Sequence, residues 1–263
     1  MIEEDLKTAS QRPRVEILGI EVSAIDMQQA LTTIERWLDS GDRNYVCVNT
    51  VNSLLAALDN PELADVYRRA GLVTPDGMPL VWISRRRGHP HVGRVYGPDL
   101  MLACCDRFRV RGVRHYFYGG AEGVPEALTE RLKARFPGLD VVGYHSPPFR
   151  PLTRDELVED IARINQATPD IVWIGLGAPK QDYWMAENIG RLSAPVLMGV
   201  GAAFDFHAGV KRQAPMWMRG NGLEWLFRLL TEPRRLARRY VMGNSRFLAL
   251  LAAEELRRRT ARA

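Results

Sequence analysis

An α/β fold with a mainly parallel sheet and helices on both faces, extended by a helical C-terminal appendage, is what three features of this 263-residue chain predict. Short β-branched runs alternate with longer amphipathic stretches, as strand–helix–strand units require. Glycine and polar residues cluster just after each run, where the carboxyl ends of parallel strands gather ligands. After Ala208-Gly209 the alternation stops, and about 50 residues of helical pattern follow. That end is also where the positive charge lies. From Lys211 onward thirteen Lys and Arg face four Asp and Glu, a net of +9. With +5 for the whole chain, the first 210 residues carry −4.

Six runs read as buried strands: 44–48, 71–74, 113–118, 139–144, 170–176 and 195–200. The helices are read from caps and periodicity. Ser23-Ala24-Ile25-Asp26 resembles a capping box for a helix through about residue 40. Further helices are predicted over 99–111, 123–136, 153–167 and 181–189. In the tail, Pro233 divides one helix ending near Leu230 from a second that Thr231 would cap, and a third is predicted over 244–259. The third carries Phe247, Leu248, Leu251 and Leu256 beside Arg246 and Arg257-Arg258-Arg259, a pattern suited to an interfacial helix. Together these elements make a Rossmann-like core over 1–210 and a basic helical appendage over 211–263.

Composition narrows the class. With 46% hydrophobic and 25% charged residues the chain buries a full core. Cys47, Cys104 and Cys105 are odd in number and lack metal-site spacing, which argues against a disulfide framework or a zinc site and for a reducing compartment. No stretch reaches the ~18 apolar residues of a membrane span, so a cytoplasmic or peripheral membrane protein is expected. Neither G-x-G-x-x-G nor G-x-x-x-x-G-K-[ST] is complete, because Lys180 and Phe204 stand where third glycines would be. A nucleotide-dependent oxidoreductase is thereby disfavoured. The net negative charge of the first 210 residues argues against the other rival, a nucleic-acid-binding module.

Residues after the strands carry the candidate chemistry. In Thr74-Pro75-Asp76-Gly77, Asp76 is either a general base at the ligand edge of the sheet or the cap of the helix that follows; local pattern leaves both open. Thr50 and Asn52 likewise either orient sugar hydroxyls or cap a helix. Gly119 and Gly120, between a strand and a helix, can present backbone N–H groups to a diphosphate, a weak signal taken alone. No Asp-x-Asp pair and no i, i+4 histidine pair supports a metal site. A leaving diphosphate would then be neutralised by arginines, for which Arg228, Arg235 and Arg238, and separately Arg94, are candidates.

Assembled in order, Asn49-Thr50-Val51-Asn52, Thr74-Pro75-Asp76-Gly77, Arg94-Val95-Tyr96-Gly97, Tyr118-Gly119-Gly120, Gly175-Leu176-Gly177-Ala178-Pro179-Lys180-Gln181, Gly201-Ala202-Ala203-Phe204-Asp205, Ala214-Pro215, Gly222-Leu223-Glu224-Trp225 and Glu232-Pro233-Arg234-Arg235 resemble the WecG/TagA/CpsF family of bacterial glycosyltransferases. The resemblance spans about residues 15–240. It implies a metal-independent, cofactor-free enzyme that inverts at the anomeric carbon. Such an enzyme moves glucose, N-acetylmannosamine or its uronic acid from a UDP-sugar to a polyprenyl-diphosphate-linked saccharide of the cell envelope. It further implies that Asp76 is the base, that Thr50, Asn52, Arg94 and Gln181 place sugar or phosphates, and that Arg228, Arg235 and Arg238 of a membrane-associated tail stabilise the leaving UDP. Gly119, Gly120 and Asp205 are the weaker candidates for the nucleotide. No nucleic-acid partner is implied, and self-association through exposed helices stays open.

Overall fold

The computed structural model describes residues 13–220, 222–231 and 233–260, without the side chains at 228, 233–241 and 259. A two-residue turn joins β1 (Arg14–Ile17) to β2 (Ile20–Ser23) as an antiparallel hairpin. Six strands then build one parallel sheet: β3 (Asn44–Asn49), β4 (Leu72–Pro75), β5 (Arg114–Gly119), β6 (Asp140–His145), β7 (Ile171–Gly175) and β8 (Val196–Gly199). Their order is β4-β3-β8-β7-β5-β6. All six predicted strands are therefore present. The hairpin was not predicted, because its strands are four residues long and each carries only a short alternation.

Helices cover both faces. On one side lie α1 (Met27–Ser40), α5 (Gly97–Arg109), α6 (Val124–Arg135) and α9 (Ala203–His207), packed on Val46, Phe117, Ile171, Trp173 and Met198. On the other lie α2 (Val51–Asp59), α3 (Pro61–Arg69), α4 (Met78–Arg86), α7 (Arg154–Gln166) and α8 (Lys180–Asn188), with the hairpin, against Tyr45, Cys47, Tyr116, Val172, Ile174 and Leu197. The alternation of side chains along each strand is what divides the core into two layers.

Two local expectations change. Asp26, not Ser23, caps α1: its carboxylate accepts from the Gln29 N–H at 2.8 Å, and the Gln29 side chain accepts from the Asp26 N–H at 3.1 Å. Ser23 closes β2, where its hydroxyl accepts from the Val73 N–H at 3.0 Å. In the tail, α10 (Met216–Gly220), α11 (Glu224–Thr231) and α12 (Pro233–Thr260) follow one another, and α12 includes the stretch predicted as a separate third helix. The Thr231 hydroxyl donates back to the Phe227 carbonyl at 3.1 Å, within α11.

The tail returns to the body. Phe247, 3% exposed, joins the core layer formed by α2 and the hairpin, with Leu250 and Leu251 packed beside it. Burying a phenylalanine in this way stabilises by about 1.5–3 kcal/mol. At the far end Arg87 bridges Glu254 and Glu255, each at 2.7 Å, and Arg246 holds Asp59 through two bonds of 2.5 and 2.6 Å.

Candidate active site

The sheet ladder places Asp76. Asn49 pairs with Pro75, and the Asp76 N–H continues the pairing by donating to the Asn49 carbonyl at 2.9 Å. Asp76 therefore lies at the carboxyl edge of β4, beside Thr50. Helix α4 begins with Gly77 as its N-cap, which places Asp76 in the turn just before it. The Asp76 carboxylate meets Arg94, with Oδ1 3.1 Å from Nη2.

Arg94 is brought there by an extended segment that runs along the end of β4. The Gly93 N–H donates to the Ile25 carbonyl at 3.2 Å and the Val95 N–H to the Pro75 carbonyl at 3.0 Å. Every nitrogen of its guanidinium is engaged: Nε donates to the Asp76 carbonyl, Nη1 to the Arg219 carbonyl at 3.1 Å, and Nη2 to Asp76 and to Glu224 Oε2 at 2.7 Å. Its Cζ stands 4.2 Å from the ring centroid of Tyr96. Burial works against the Arg94 charge, but Asp76 and Glu224 outweigh it and raise the guanidinium above its ordinary value.

Tyr96 completes the cluster by donating to Glu224 Oε1 at 3.0 Å, while Gln213 Nε2 donates to the Tyr96 oxygen at 3.2 Å. Burial, then the Glu224 and Asp76 charges, push the Tyr96 phenol up, so it stays a donor near neutrality. Asp76 and Glu224 are each 9% exposed. Two nearly buried carboxylates, one from the core and one from the tail, thus share a single guanidinium nitrogen.

The other predicted residues spread along the same edge. Thr50 is the N-cap of α2, accepting from the Ser53 N–H at 3.4 Å, and Asn52 lies in the first turn of that helix. Gln181 is 3% exposed, and its Oε1 accepts from the Gly177 N–H at 3.2 Å, tying down the loop after β7. Gly119 and Gly120 both have left-handed φ, at 119° and 78°, and a Cβ on Gly119 would stand 2.7 Å from the Gly175 carbonyl carbon. Only glycine fits such an approach. Asp205 pairs with Lys211 at 2.7 Å. Four strand spacings separate β4 from β5, so Asp76 and the two glycines stand about 19 Å apart. Arg228, Arg235 and Arg238 fall outside the described side chains.

Sequence reasoning assigned no role to Glu224, Tyr96, Gln213 or Arg219. Glu224 and Tyr96 were visible only as members of the Gly222-Leu223-Glu224-Trp225 and Arg94-Val95-Tyr96-Gly97 motifs. Beneath the edge, Asn49 is fully buried with both amide atoms unpartnered among the described residues. Farther along, Tyr118, Leu152, Leu176, Lys180 and Trp184 line a mainly apolar depression of about 170 Å³, in which Tyr118 and Trp184 stack at 4.7 Å. No described helix is long and apolar enough to cross a membrane.

Known proteins resemble this chain over most of its length. The model of the glycosyl transferase WecG/TagA/CpsF family matches residues 15–261. An N-acetylglucosaminyldiphosphoundecaprenol N-acetyl-beta-D-mannosaminyltransferase of Bacillus spizizenii is 31% identical over 202 residues, 77% of this chain and 77% of that protein. A protein of the same name from Staphylococcus aureus is 28% identical over 231 residues, covering 87% of this chain and 89% of that one. The family match covers almost the whole chain, the candidate site included, and the chain belongs to the WecG/TagA/CpsF family of glycosyl transferases.

Proposed function

We propose that this glycosyltransferase moves a hexose from a UDP-sugar to a polyprenyl-diphosphate-linked saccharide, with inversion, during assembly of a surface polysaccharide. The observation that carries the reading is Asp76: a carboxylate at the ligand edge of a parallel sheet, joined through Arg94 to Glu224 of the tail. Asp76 takes the proton of the acceptor hydroxyl. That oxygen bonds to the anomeric carbon as its bond to the β-phosphate oxygen breaks on the opposite face, and the electron pair leaves with UDP. A general base contributes roughly 10²–10⁴-fold to such a step.

Thr50, Asn52, Arg94 and Gln181 place the sugar and phosphates in this reading, and Gly119, Gly120 and Asp205 serve the nucleotide. Arg228, Arg235 and Arg238, on a tail that covers the core of 1–210, stabilise the charge developing on UDP without a metal ion. The names of the relatives favour N-acetylmannosamine as the sugar and a lipid-diphosphate-linked N-acetylglucosamine as the acceptor. A lipid-linked acceptor in turn favours a protein peripheral to the inner face of the membrane.

The test is a screen of UDP-sugars against a polyprenyl-diphosphate-linked N-acetylglucosamine, with the product's anomeric configuration determined. Asp76→Asn is expected to bind the UDP-sugar as before and to lose at least about a hundredfold in turnover. Turnover equal to that of the unmodified chain removes Asp76 from the mechanism, and a retained configuration removes the single displacement.

A further inference from the structure

We propose that Glu224, carried by the C-terminal tail, is a positioning residue for the reaction: it fixes Arg94 and offsets its charge beside Asp76. The inference rests on reading Asp76 as the base. Arg94 Nη2 stands between the two carboxylates, 2.7 Å from Glu224 and 3.1 Å from Asp76. The second Glu224 oxygen is held by the Tyr96 hydroxyl, itself held by Gln213, so the carboxylate is fixed from two directions.

Charge explains why a second acid is needed. A carboxylate paired alone with a nearly buried guanidinium is a weak base, because the cation favours its ionised form. A further negative charge on the same nitrogen divides the pull of Arg94 and returns basicity to Asp76. A carboxylate this deeply buried is costly unless fully paired, and Arg94 and Tyr96 together supply that pairing. Among the described side chains the charges next nearest are Arg219, 5.8 Å from the centroid of the Tyr96 ring, and Asp99, which pairs with Arg219 at 2.8 Å and offsets it.

Glu224 reaches this position only while the tail is seated. The turn before it passes over α4 at Gly222, whose φ is 72° and whose Cβ, if present, would stand 3.1 Å from Met78 Cβ. Met78 is two residues beyond Asp76. Covering the site and adjusting the base are therefore one event.

The experiment compares the pH dependence of kcat/KM in the full-length chain and in Glu224→Gln, Arg94→Met and the double variant, with Tm measured for each. The acid limb is expected to move to lower pH in Glu224→Gln, where Arg94 acts on Asp76 unopposed. It should move to higher pH in Arg94→Met and lie between the two in the double variant. Any two of the three variants establish the sign if one fails to fold. Glu224→Asp should bring the limb back toward that of the unmodified chain. A limb that stays in place in the folded variants, with rates lowered equally at every pH, leaves Glu224 a structural tie and overturns the proposal. Full turnover in Asp76→Asn would instead sink the function on which it rests, so the two failures are distinct.

Discussion

Asp182 is a carboxyl group buried to 1% exposure, with Oδ1 lacking a hydrogen-bond partner among the described residues and Oδ2 3.5 Å from the Tyr67 hydroxyl. Burial pushes it up to about 7, against which the Cys47 thiol and Tyr67 act only partly. Because this value lies above that of the unfolded chain, the group's contribution to stability is complete below about pH 4 and is lost as pH rises toward about 7. Asp182→Asn should therefore gain in Tm relative to the unmodified chain across that interval and keep a constant difference above it; a difference independent of pH refutes a protonated Asp182. Nothing in the sequence singled this residue out, since its next neighbour Gln181 carried the motif. Asp76 was legible only as one of two readings, cap or base, because Pro-Asp-Gly suits both. Its partner Arg94 lies 18 residues away, beyond the reach of that local pattern. Glu224 lies a further 130 residues beyond Arg94, a separation that no local pattern registers.

At the scale of elements, β-branched runs made all six sheet strands readable, and capping residues gave most helix starts to within one or two positions. The hairpin escaped because its turn places Leu18 and Gly19 at φ 53° and 79°, a pair of left-handed residues for which leucine gives no warning. The register of α1 was misjudged because Ser23 and Asp26 are both good caps, and only tertiary contact with Val73 takes Ser23 away. The tail turn at Gly222 is the element on which seating depends. Gly222→Ala meets both an unfavourable backbone conformation, about 1–2 kcal/mol, and the Met78 side chain. Turnover is expected to fall together with an increase in protease cleavage between 211 and 231, while Tm changes by only a few degrees. Unaltered turnover and cleavage would show that the turn tolerates a side chain and that seating does not depend on it.

Across the whole molecule the two ends differ in charge and in surface. The tail carries the net +9 together with exposed Met216, Trp217, Trp225, Leu230, Met242 and Leu248, each at least 41% exposed. Basic residues beside exposed apolar ones favour an anionic lipid surface. The chain should co-sediment with vesicles containing anionic lipid, less so as salt rises, and hardly at all with neutral vesicles; equal binding to both would exclude an electrostatic contribution. That the tail also belongs to the core was not legible, because Phe247 reads equally well as a lipid-facing residue until its packing is seen. The crossing of α12 over α2 closes part of the edge where the candidate residues lie. A Cβ on Gly243 would stand 3.1 Å from Asn52 Oδ1, and Phe247, one turn later, is anchored beneath. That roof cannot lift without breaking hydrophobic packing, so any opening of this edge falls to the shorter helices α10 and α11, with the long helix as their fixed frame.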